Sequence, residues 1–257
     1  MYQNYIFDLY GTLVDIHTNE RKKYLWEKMA LYMRFQGAEY TAAELKIAYG
    51  REIKEQKKKK STEISAKTGV YVPPEEIEAS FEELIPSLYQ ARGVIDISAE
   101  RILDWAMMYR TISMEHLCLY EGAKELLMRL KEDGKNIYLL SNAQRLFTEP
   151  EMRALGIYDL FDAVYYSSDV GFVKPSRHFY GRLLTEQRLD PSKSVMVGND
   201  DKADAWGAHD NGLDSIYVYT RQSPKMESPL PANCQKINVI SEAFCASSIH
   251  FCGPQGF

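Results

Sequence analysis

An aspartate near the start of the chain, Asp8, has the surroundings of a reactive group. It follows the apolar segment Gln3–Phe7, and Gly11 and Thr12 come shortly after it in a sequence typical of a turn. The segment predicts a buried strand of a parallel sheet. A carboxylate at the carboxyl end of such a strand adds nothing to packing and is costly to desolvate, and open α/β sheets bind their ligands at this edge. The simplest chemistry for Asp8 is nucleophilic attack.

Polar residues follow apolar segments at three later points of the chain, namely Ser141 with Asn142, Lys174 before a proline, and Asp200 with Asp204. Each group alone is weak evidence, because Ser and Asn also form ordinary turns and helix caps and most lysines are exposed. Asp200 and Asp204 are four residues apart across a predicted strand-to-helix turn. Both could face one cation, and magnesium prefers oxygen ligands.

Together these segments resemble, in order, the four motifs of the haloacid dehalogenase-like (HAD) superfamily. Motif I is Asp8-Leu9-Tyr10-Gly11-Thr12-Leu13-Val14, motif II is Ser141-Asn142-Ala143, motif III is Lys174-Pro175, and motif IV runs from Gly198 to Asp204. The resemblance covers nearly the whole chain, and the joint order is much stronger evidence than any single motif. It implies a hydrolase whose aspartate forms a covalent intermediate.

The resemblance also implies a role for each residue of the site. Asp8 would be the nucleophile, Thr12 would orient its loop, and Ser141 with Asn142 would hydrogen-bond the group being transferred. Lys174 would hold the nucleophile ionised and offset the negative charge of the substrate. The predicted magnesium ligands are Asp8, the backbone carbonyl of Tyr10, Asp200 and Asp204.

Motif IV allows two alignments. One places Asn199 where phosphatases of the family have their first motif IV aspartate, and the other places Asp200 there. We favour Asp200 as the ligand, since a neutral amide balances less positive charge, with Asn199 as a neighbour. Asp201 is expected to point to solvent or to cap the following helix.

Tyr10 departs from the pattern of the phosphatases. Most phosphatases of the family carry a second aspartate two residues after the nucleophile, where this chain has Tyr10. A phenol with a pKa near 10 is a poor general base at neutral pH, whereas ester hydrolysis needs proton transfer. A halide leaves without a proton, so the tyrosine resembles the 2-haloacid dehalogenases. A further tyrosine, Tyr180, also has the spacing from Lys174 that dehalogenases use, although an aromatic side chain facing the core is the commoner explanation.

Other features favour a phosphatase. The acidic residues of motif IV suit a cation between an anionic nucleophile and an anionic phosphate, whereas dehalogenases of the family are metal-free and have Ser and Asn there. A dehalogenase also needs an arginine to hold the halide, and Arg34 and Arg51 are the candidates, without any geometry to support them.

The elements that position these residues follow an alternating strand-helix pattern. The amphipathic segment Ala123–Lys131 predicts a helix. The further strands are predicted at Asn136–Leu140, Phe161–Tyr166, Ser194–Val197 and Asp214–Tyr219, with an edge strand at Lys236–Ile240. Repeated units of this kind predict an α/β fold, a Rossmann-like three-layer core with a parallel sheet and right-handed crossovers. The core is assigned to residues 1–16 and 116–257.

Residues 17–115 are predicted to form an all-helical insert. Apolar residues such as Leu25 and Met29 recur at helical spacing, and no strand is evident between Glu20 and Met114. Thr41 and Glu44 have the form of a capping box, Pro73-Pro74 suits a helix start, and Ser98 precedes another helix. An insert at this point resembles the helical cap of many HAD enzymes.

Composition sets the remaining limits. The chain has 257 residues, 45% of them hydrophobic, and a net charge of -5, which argues against broad nucleic-acid binding. The run Lys57–Lys60 is best explained as a solvated face. No apolar run is long enough to span a membrane, the four cysteines show no CxxC spacing, and no signal peptide is evident, so a reducing, cytoplasmic location is expected.

The sequence therefore favours a magnesium-dependent phosphatase that acts on a small phosphorylated metabolite through Asp8. A metal-free 2-haloacid dehalogenase is the first alternative. The second is a binding protein that keeps the pocket but turns over poorly. Neither the substrate nor the oligomeric state can be derived from the sequence, because the predicted cap carries no recognisable motif.

Overall fold

A computed structural model describes residues 2–226 and 228–246. Its main sheet has six parallel strands in the order β5-β4-β1-β6-β7-β8, and a second sheet pairs β2 with β3. The strands are β1 (Asn4–Phe7), β2 (Val14–Thr18), β3 (Met114–Leu119), β4 (Asn136–Ser141), β5 (Ala163–Tyr166), β6 (Ser194–Gly198), β7 (Asp214–Val218) and β8 (Cys234–Ile237).

Helices connect these strands and cover the sheet. They are α1 (Lys23–Phe35), α2 (Ala42–Thr68), α3 (Phe81–Gln90), α4 (Ala99–Ser113), α5 (Ala123–Glu132), α6 (Arg145–Ala154), α7 (Ser167–Val170), α8 (Arg177–Glu186), α9 (Gly207–Asp210) and α10 (Ala243–Ala246). A six-residue π-helix, Asp201–Trp206, precedes α9. No helix in the described ranges is both long and apolar enough to cross a membrane.

The three-layer α/β core is confirmed, and β1 lies at its centre. All four residues of β1 are buried, between β4 on one side and β6 on the other. Tyr5 and Phe7 pack into one apolar layer and Ile6 into the layer on the opposite face of the sheet. Because β1 is central, its carboxyl end opens at the middle of the sheet edge, where Asp8 follows.

The predicted strands form, with small shifts. The edge strand lies at Cys234–Ile237 rather than Lys236–Ile240, because the chain turns after Ile237. The segment after β5 begins with the single helical turn α7. The part of the predicted core at 247–257 lies outside the described residues.

Helices α1 to α4 pack around a second apolar core, which also includes Phe147 of α6. Leu25, Met29, Leu84, Leu88 and Trp105 are among the side chains buried there. The Thr41–Glu44 capping box is present at α2, and Ser98 caps α4. Pro74 begins only one 3₁₀ turn, however, since the chain extends again at Ile77. In the lysine run of α2, Lys58 and Lys59 are exposed, as predicted for a solvated face, whereas Lys57 and Lys60 are half-buried.

An antiparallel pair that the sequence did not predict joins the insert to the core. Strand β2 leaves the core, β3 returns to it, and their register places Asp15 opposite Cys118 and His17 opposite His116. The two predicted domain boundaries, at 16/17 and 115/116, both fall inside this pair. Strand β3 was not predicted because it begins at Met114 directly after α4, with no glycine or proline to mark the end of the helix.

Candidate active site

Asp8 directly follows β1 and is held by a tight turn. Its backbone N–H donates to Val197 O at 2.9 Å, which continues the pairing with β6. Thr12 Oγ1 donates to Asp8 Oδ2 at 3.0 Å. Gly11 has φ +85°, and a Cβ there would lie 2.3 Å from the Asn199 side chain. Only glycine therefore allows this turn to pack so closely against the segment after β6.

Lys174 bridges two carboxylates. Its Nζ lies 2.8 Å from Asp8 Oδ1 and 2.7 Å from Asp204 Oδ1, and its side chain is only 2% exposed. Burial alone would lower the pKa of Lys174, but the charges of Asp204 and Asp8 raise it above the ordinary lysine value. A protonated ammonium is thus fixed beside the Asp8 carboxylate.

Asn142 positions this lysine through its backbone. Lys174 N donates to Asn142 Oδ1 at 2.7 Å, and Asn142 Nδ2 donates to Lys174 O at 3.2 Å. This paired contact fixes the loop before α8 against the carboxyl end of β4. Asn142 therefore supports Lys174 as well as facing the cavity described below.

Asp204 is the second partner of the lysine. Its Oδ2 accepts a hydrogen bond from Asp200 N at 3.0 Å, so both of its oxygens have protein partners. Burial raises the pKa of Asp204 to about 7. A Cβ on Gly198 would lie 2.1 Å from this carboxylate, which explains the glycine that ends β6.

The prediction for Asp201 was wrong. Its side chain is buried rather than exposed to solvent. Asp200 caps the π-helix instead, because Asp200 Oδ1 accepts from Lys202 N at 2.9 Å and from Ala203 N at 2.8 Å. The π-helix that follows carries Asp204 back to Lys174, which the sequence spacing did not indicate.

The predicted site residues surround one small cavity of about 150 Å³. Its lining consists of Asp8, Tyr10, Ser141, Asn142, Lys174, Asn199, Asp200, Ala203 and Asp204. Thr12 stands behind Asp8, and its Oγ1 lies 3.2 Å from Asn199 Oδ1. Both candidates for the first motif IV ligand, Asn199 and Asp200, thus reach the cavity.

The donor set of this cavity fits magnesium. Three carboxylates, from Asp8, Asp200 and Asp204, face a single ammonium from Lys174, and the Asn199 amide adds another oxygen. Hard divalent cations take oxygen ligands of this kind, and a cation would offset the excess negative charge. Asp204 is the least available of the three carboxylates, because Lys174 and Asp200 N occupy it.

The environment of the Tyr10 phenol prevents it from acting as a general base. Tyr10 Oη donates to Glu151 Oε2 at 2.5 Å and lies 3.0 Å from Thr148 Oγ1. Arg110 makes a two-bond contact with Glu151, and its guanidinium lies 5.2 Å from the Tyr10 ring centre. Burial raises the pKa of Tyr10 far above its ordinary value. The phenol is therefore neutral throughout the physiological range.

A second cavity of about 320 Å³ shares Tyr10 and Asn142 with the first and extends to the helical insert. Sequence reasoning missed most of the residues that line it. They include Glu20, Tyr49, Lys57, Glu78, Tyr109, Arg110 and Gln144. Tyr109 Oη is buried and makes no hydrogen bond of ordinary geometry within the described residues. No local motif marks such residues, because they come from separate helices and loops that meet only in the fold.

The arginines considered for a halide site lie elsewhere. Arg34 and Arg51 are exposed and form ion pairs with Glu39 and Glu55. Among the described residues, Arg110 is the arginine that lines the second cavity, and it is paired with Glu151. Tyr180 is fully buried and donates to Ala203 O at 2.8 Å, so it supports the π-helix from behind.

This fold is that of a known class of hydrolases. The family model for haloacid dehalogenase-like hydrolases matches residues 2–212, and the chain belongs to that family. The glyceraldehyde 3-phosphate phosphatase of Methanothermobacter thermautotrophicus (strain Delta H) is 28% identical over 134 residues, which are 52% of this chain and 59% of that protein. The chain spans about half the length of the curated relatives it matches.

Two solved structures share the fold over almost the whole chain. The magnesium-bound HAD-hydrolase YfnB of Bacillus subtilis is 18% identical, with a TM-score of 0.54 over 96% of this chain and 99% of that one. The 2-haloacid dehalogenase of Pseudomonas syringae pv. Tomato DC3000 is 17% identical, with a TM-score of 0.62 over 96% and 99%. Identities this low show the fold alone, so the choice of reaction depends on the site.

Proposed function

We propose that this hydrolase is a magnesium-dependent phosphatase of a small phosphorylated metabolite, with Asp8 as its nucleophile. One observation carries the proposal: three carboxylates and one ammonium line a single cavity of about 150 Å³. This arrangement suits a cation and a phosphoryl group together. The phosphatase named among the relatives supports the same reaction class.

The first step is attack by an Asp8 carboxylate oxygen on phosphorus. The P–O bond to the leaving alcohol breaks as the new O–P bond forms, which gives an aspartyl phosphate and an alkoxide that must take up a proton. Thr12 and Lys174 hold the Asp8 carboxylate in place, at 3.0 and 2.8 Å. Water then attacks phosphorus, releases phosphate and regenerates Asp8.

Lys174, Ser141 and Asn142 would contact the phosphoryl oxygens, and their place in the lining of the Asp8 cavity supports this role. Asp8, the Tyr10 carbonyl and Asp200 would hold magnesium, with Asn199 beside them and Asp204 acting mainly through Lys174. A bound Mg²⁺ would neutralise charge between the nucleophile and the phosphate. Preorganised charges of this kind supply much of the barrier reduction in phosphoryl transfer.

The volume of the second cavity, about 320 Å³, is evidence that the substrate is a small molecule. It adjoins the reactive cavity through Tyr10 and Asn142, so the organic part of a phosphate ester can lie against the helical insert. We infer that the insert, residues 17–115 with the boundaries at the β2–β3 pair, acts as the cap that selects the substrate. Lys57 and the Tyr109 hydroxyl offer polar contacts there.

The test is a panel of phosphorylated metabolites and 2-haloacids, assayed with and without magnesium. Phosphate release that requires magnesium would support the proposal. Chloride release from 2-chloropropionate without phosphate release from any ester would identify the alternative, a metal-free 2-haloacid dehalogenase. Tyr10 is the observation that favours that second candidate, because its neutral phenol offers no general base.

A weakly active binding protein is the remaining alternative. It would bind phosphate or magnesium with an intact fold but show no measurable turnover across the panel. We also infer a reducing, cytoplasmic location, which Cys118 and Cys234 support as free thiols.

A further inference from the structure

Three metal-ligating side chains meet on the β2–β3 pair, away from the candidate active site. Asp15 lies on β2, and His116 and Cys118 lie two residues apart on β3, so all three project from the same face. His116 Nε2 is 3.2 Å from Asp15 Oδ2 and 3.2 Å from Cys118 Sγ. One ligand atom from each residue falls within 4.8 Å of the other two.

These spacings are close to those of a tetrahedral zinc site. Bond lengths of about 2.0 Å to oxygen and nitrogen and about 2.3 Å to sulfur give N···O and N···S separations of about 3.3 and 3.6 Å. The observed separations of 3.2 Å need only small rotations of His116 and Cys118. A thiolate, an imidazole and a carboxylate are a ligand set that selects zinc over magnesium.

The Asp15 carboxylate is already oriented for this use. Gln222 Nε2 donates to Asp15 Oδ1 at 2.5 Å and to Ile16 O at 2.6 Å, which fixes the carboxylate while Oδ2 faces His116. Outer hydrogen bonds of this kind orient metal ligands. Arg221 also contacts both Asp15 oxygens, but its side chain is 66% exposed and can withdraw into solvent.

The three side chains lie on the strands that join the core to the insert. β2 and β3 are the two connections between core and insert, and Gln222 belongs to the core segment after β7. A metal on Asp15, His116 and Cys118 would tie both connections together next to that segment. It would therefore resist any movement that changes the angle between insert and core.

We propose that Asp15, His116 and Cys118 form a zinc site on the connection between core and insert, with a water as fourth ligand. Binding releases the Cys118 thiol proton to solvent, so affinity falls as pH is lowered. The site is separate from the Asp8 cavity and does not depend on the proposed reaction.

Metal binding to tag-free protein tests the proposal. Co²⁺, which takes the same geometry, should produce a sulfur-to-metal charge-transfer band in the near ultraviolet, and added Zn²⁺ should remove it. The band should be lost in Cys118→Ser and kept in Cys234→Ser, a matched control with another partly buried thiol. A band that persists in Cys118→Ser, or no band in the wild type, would overturn the proposal.

Thermal unfolding gives a second readout. Zn²⁺ should raise the Tm of the wild type and of Cys234→Ser, because a ligand that binds only the folded state stabilises it. The apparent Kd for Zn²⁺ at this site should rise more than about tenfold in Cys118→Ser and in His116→Asn. Equal Zn²⁺ affinity in wild type, Cys118→Ser and His116→Asn would refute the assignment even if the Asp8 cavity also takes up metal.

Discussion

Lys174 Nζ lies 2.8 Å from Asp8 Oδ1, although 166 residues separate the two in the chain. The same ammonium lies 2.7 Å from Asp204 Oδ1. The lysine therefore links the ends of β1 and β6, and the attacking carboxylate of the proposed mechanism depends on a residue from a distant loop.

Replacing Asp8 by Asn should abolish turnover and leave the fold intact. The amide keeps the shape of the side chain and the contact with Thr12 but removes the attacking charge. The measurement is steady-state hydrolysis of the best ester in the panel, with circular dichroism to check folding. Activity within a few-fold of the wild type would show that Asp8 is not the nucleophile.

Lys174→Met should abolish turnover and also destabilise the protein. Removing one partner of a buried ion pair leaves Asp8 and Asp204 uncompensated, and such losses are typically about 3–5 kcal/mol. Denaturant unfolding measures the change. Lys57→Met is the matched control, because Lys57 lines the second cavity without a buried ion pair in the described residues, and its stability should change little.

Turnover should require magnesium. Chelators should abolish it, and Asp200→Asn should raise the magnesium concentration needed for half-maximal rate, because a neutral amide is a weaker ligand than a carboxylate. A magnesium titration of wild type and variant measures this. If chelators leave turnover unchanged, the magnesium prediction is wrong and the metal-free dehalogenase gains support.

Tyr10→Phe should reduce stability more than activity. It removes the hydrogen bond from the phenol to the charged Glu151, a contact of a kind worth about 1.5–3 kcal/mol. Arg110 still pairs with Glu151, and the Glu151 carboxylate therefore keeps a charged partner. Unfolding and kinetics on the same samples separate the two effects. A loss of a hundredfold or more in kcat with unchanged stability would mean that the phenol itself takes part in the reaction.

The rate should depend strongly on the leaving group. With no acid two residues after Asp8, acyl and aryl phosphates should react faster than alkyl phosphates, and Tyr10→Asp should raise the rate on alkyl phosphates by up to about 10²–10⁴-fold if the carboxylate reaches the leaving oxygen. A plot of log rate against leaving-group pKa for both forms measures this. A slope near zero in the wild type would show that another residue already donates the proton.

The sequence by itself determined the fold class and most of the residues that line the cavity at Asp8. Local apolar periodicity predicts the central strand before Asp8, the helical insert and the alternating strand-helix units. This periodicity exists because one face of each helix and strand must be buried. Every predicted site residue except Thr12 lines the cavity, because the carboxyl ends of parallel strands meet at one edge of the sheet.

The tertiary structure decided what each carboxylate contacts. Sequence spacing placed Asp200 and Asp204 together, but only the fold shows that Asp200 caps a π-helix while Asp204 is bound by Lys174. The tertiary structure also brings Tyr10 into contact with Glu151 and places Arg110 in the lining of the second cavity. It forms the strand pair that brings Asp15 next to His116. Long-range packing sets all of these contacts, and such packing leaves no periodic or local pattern in the sequence.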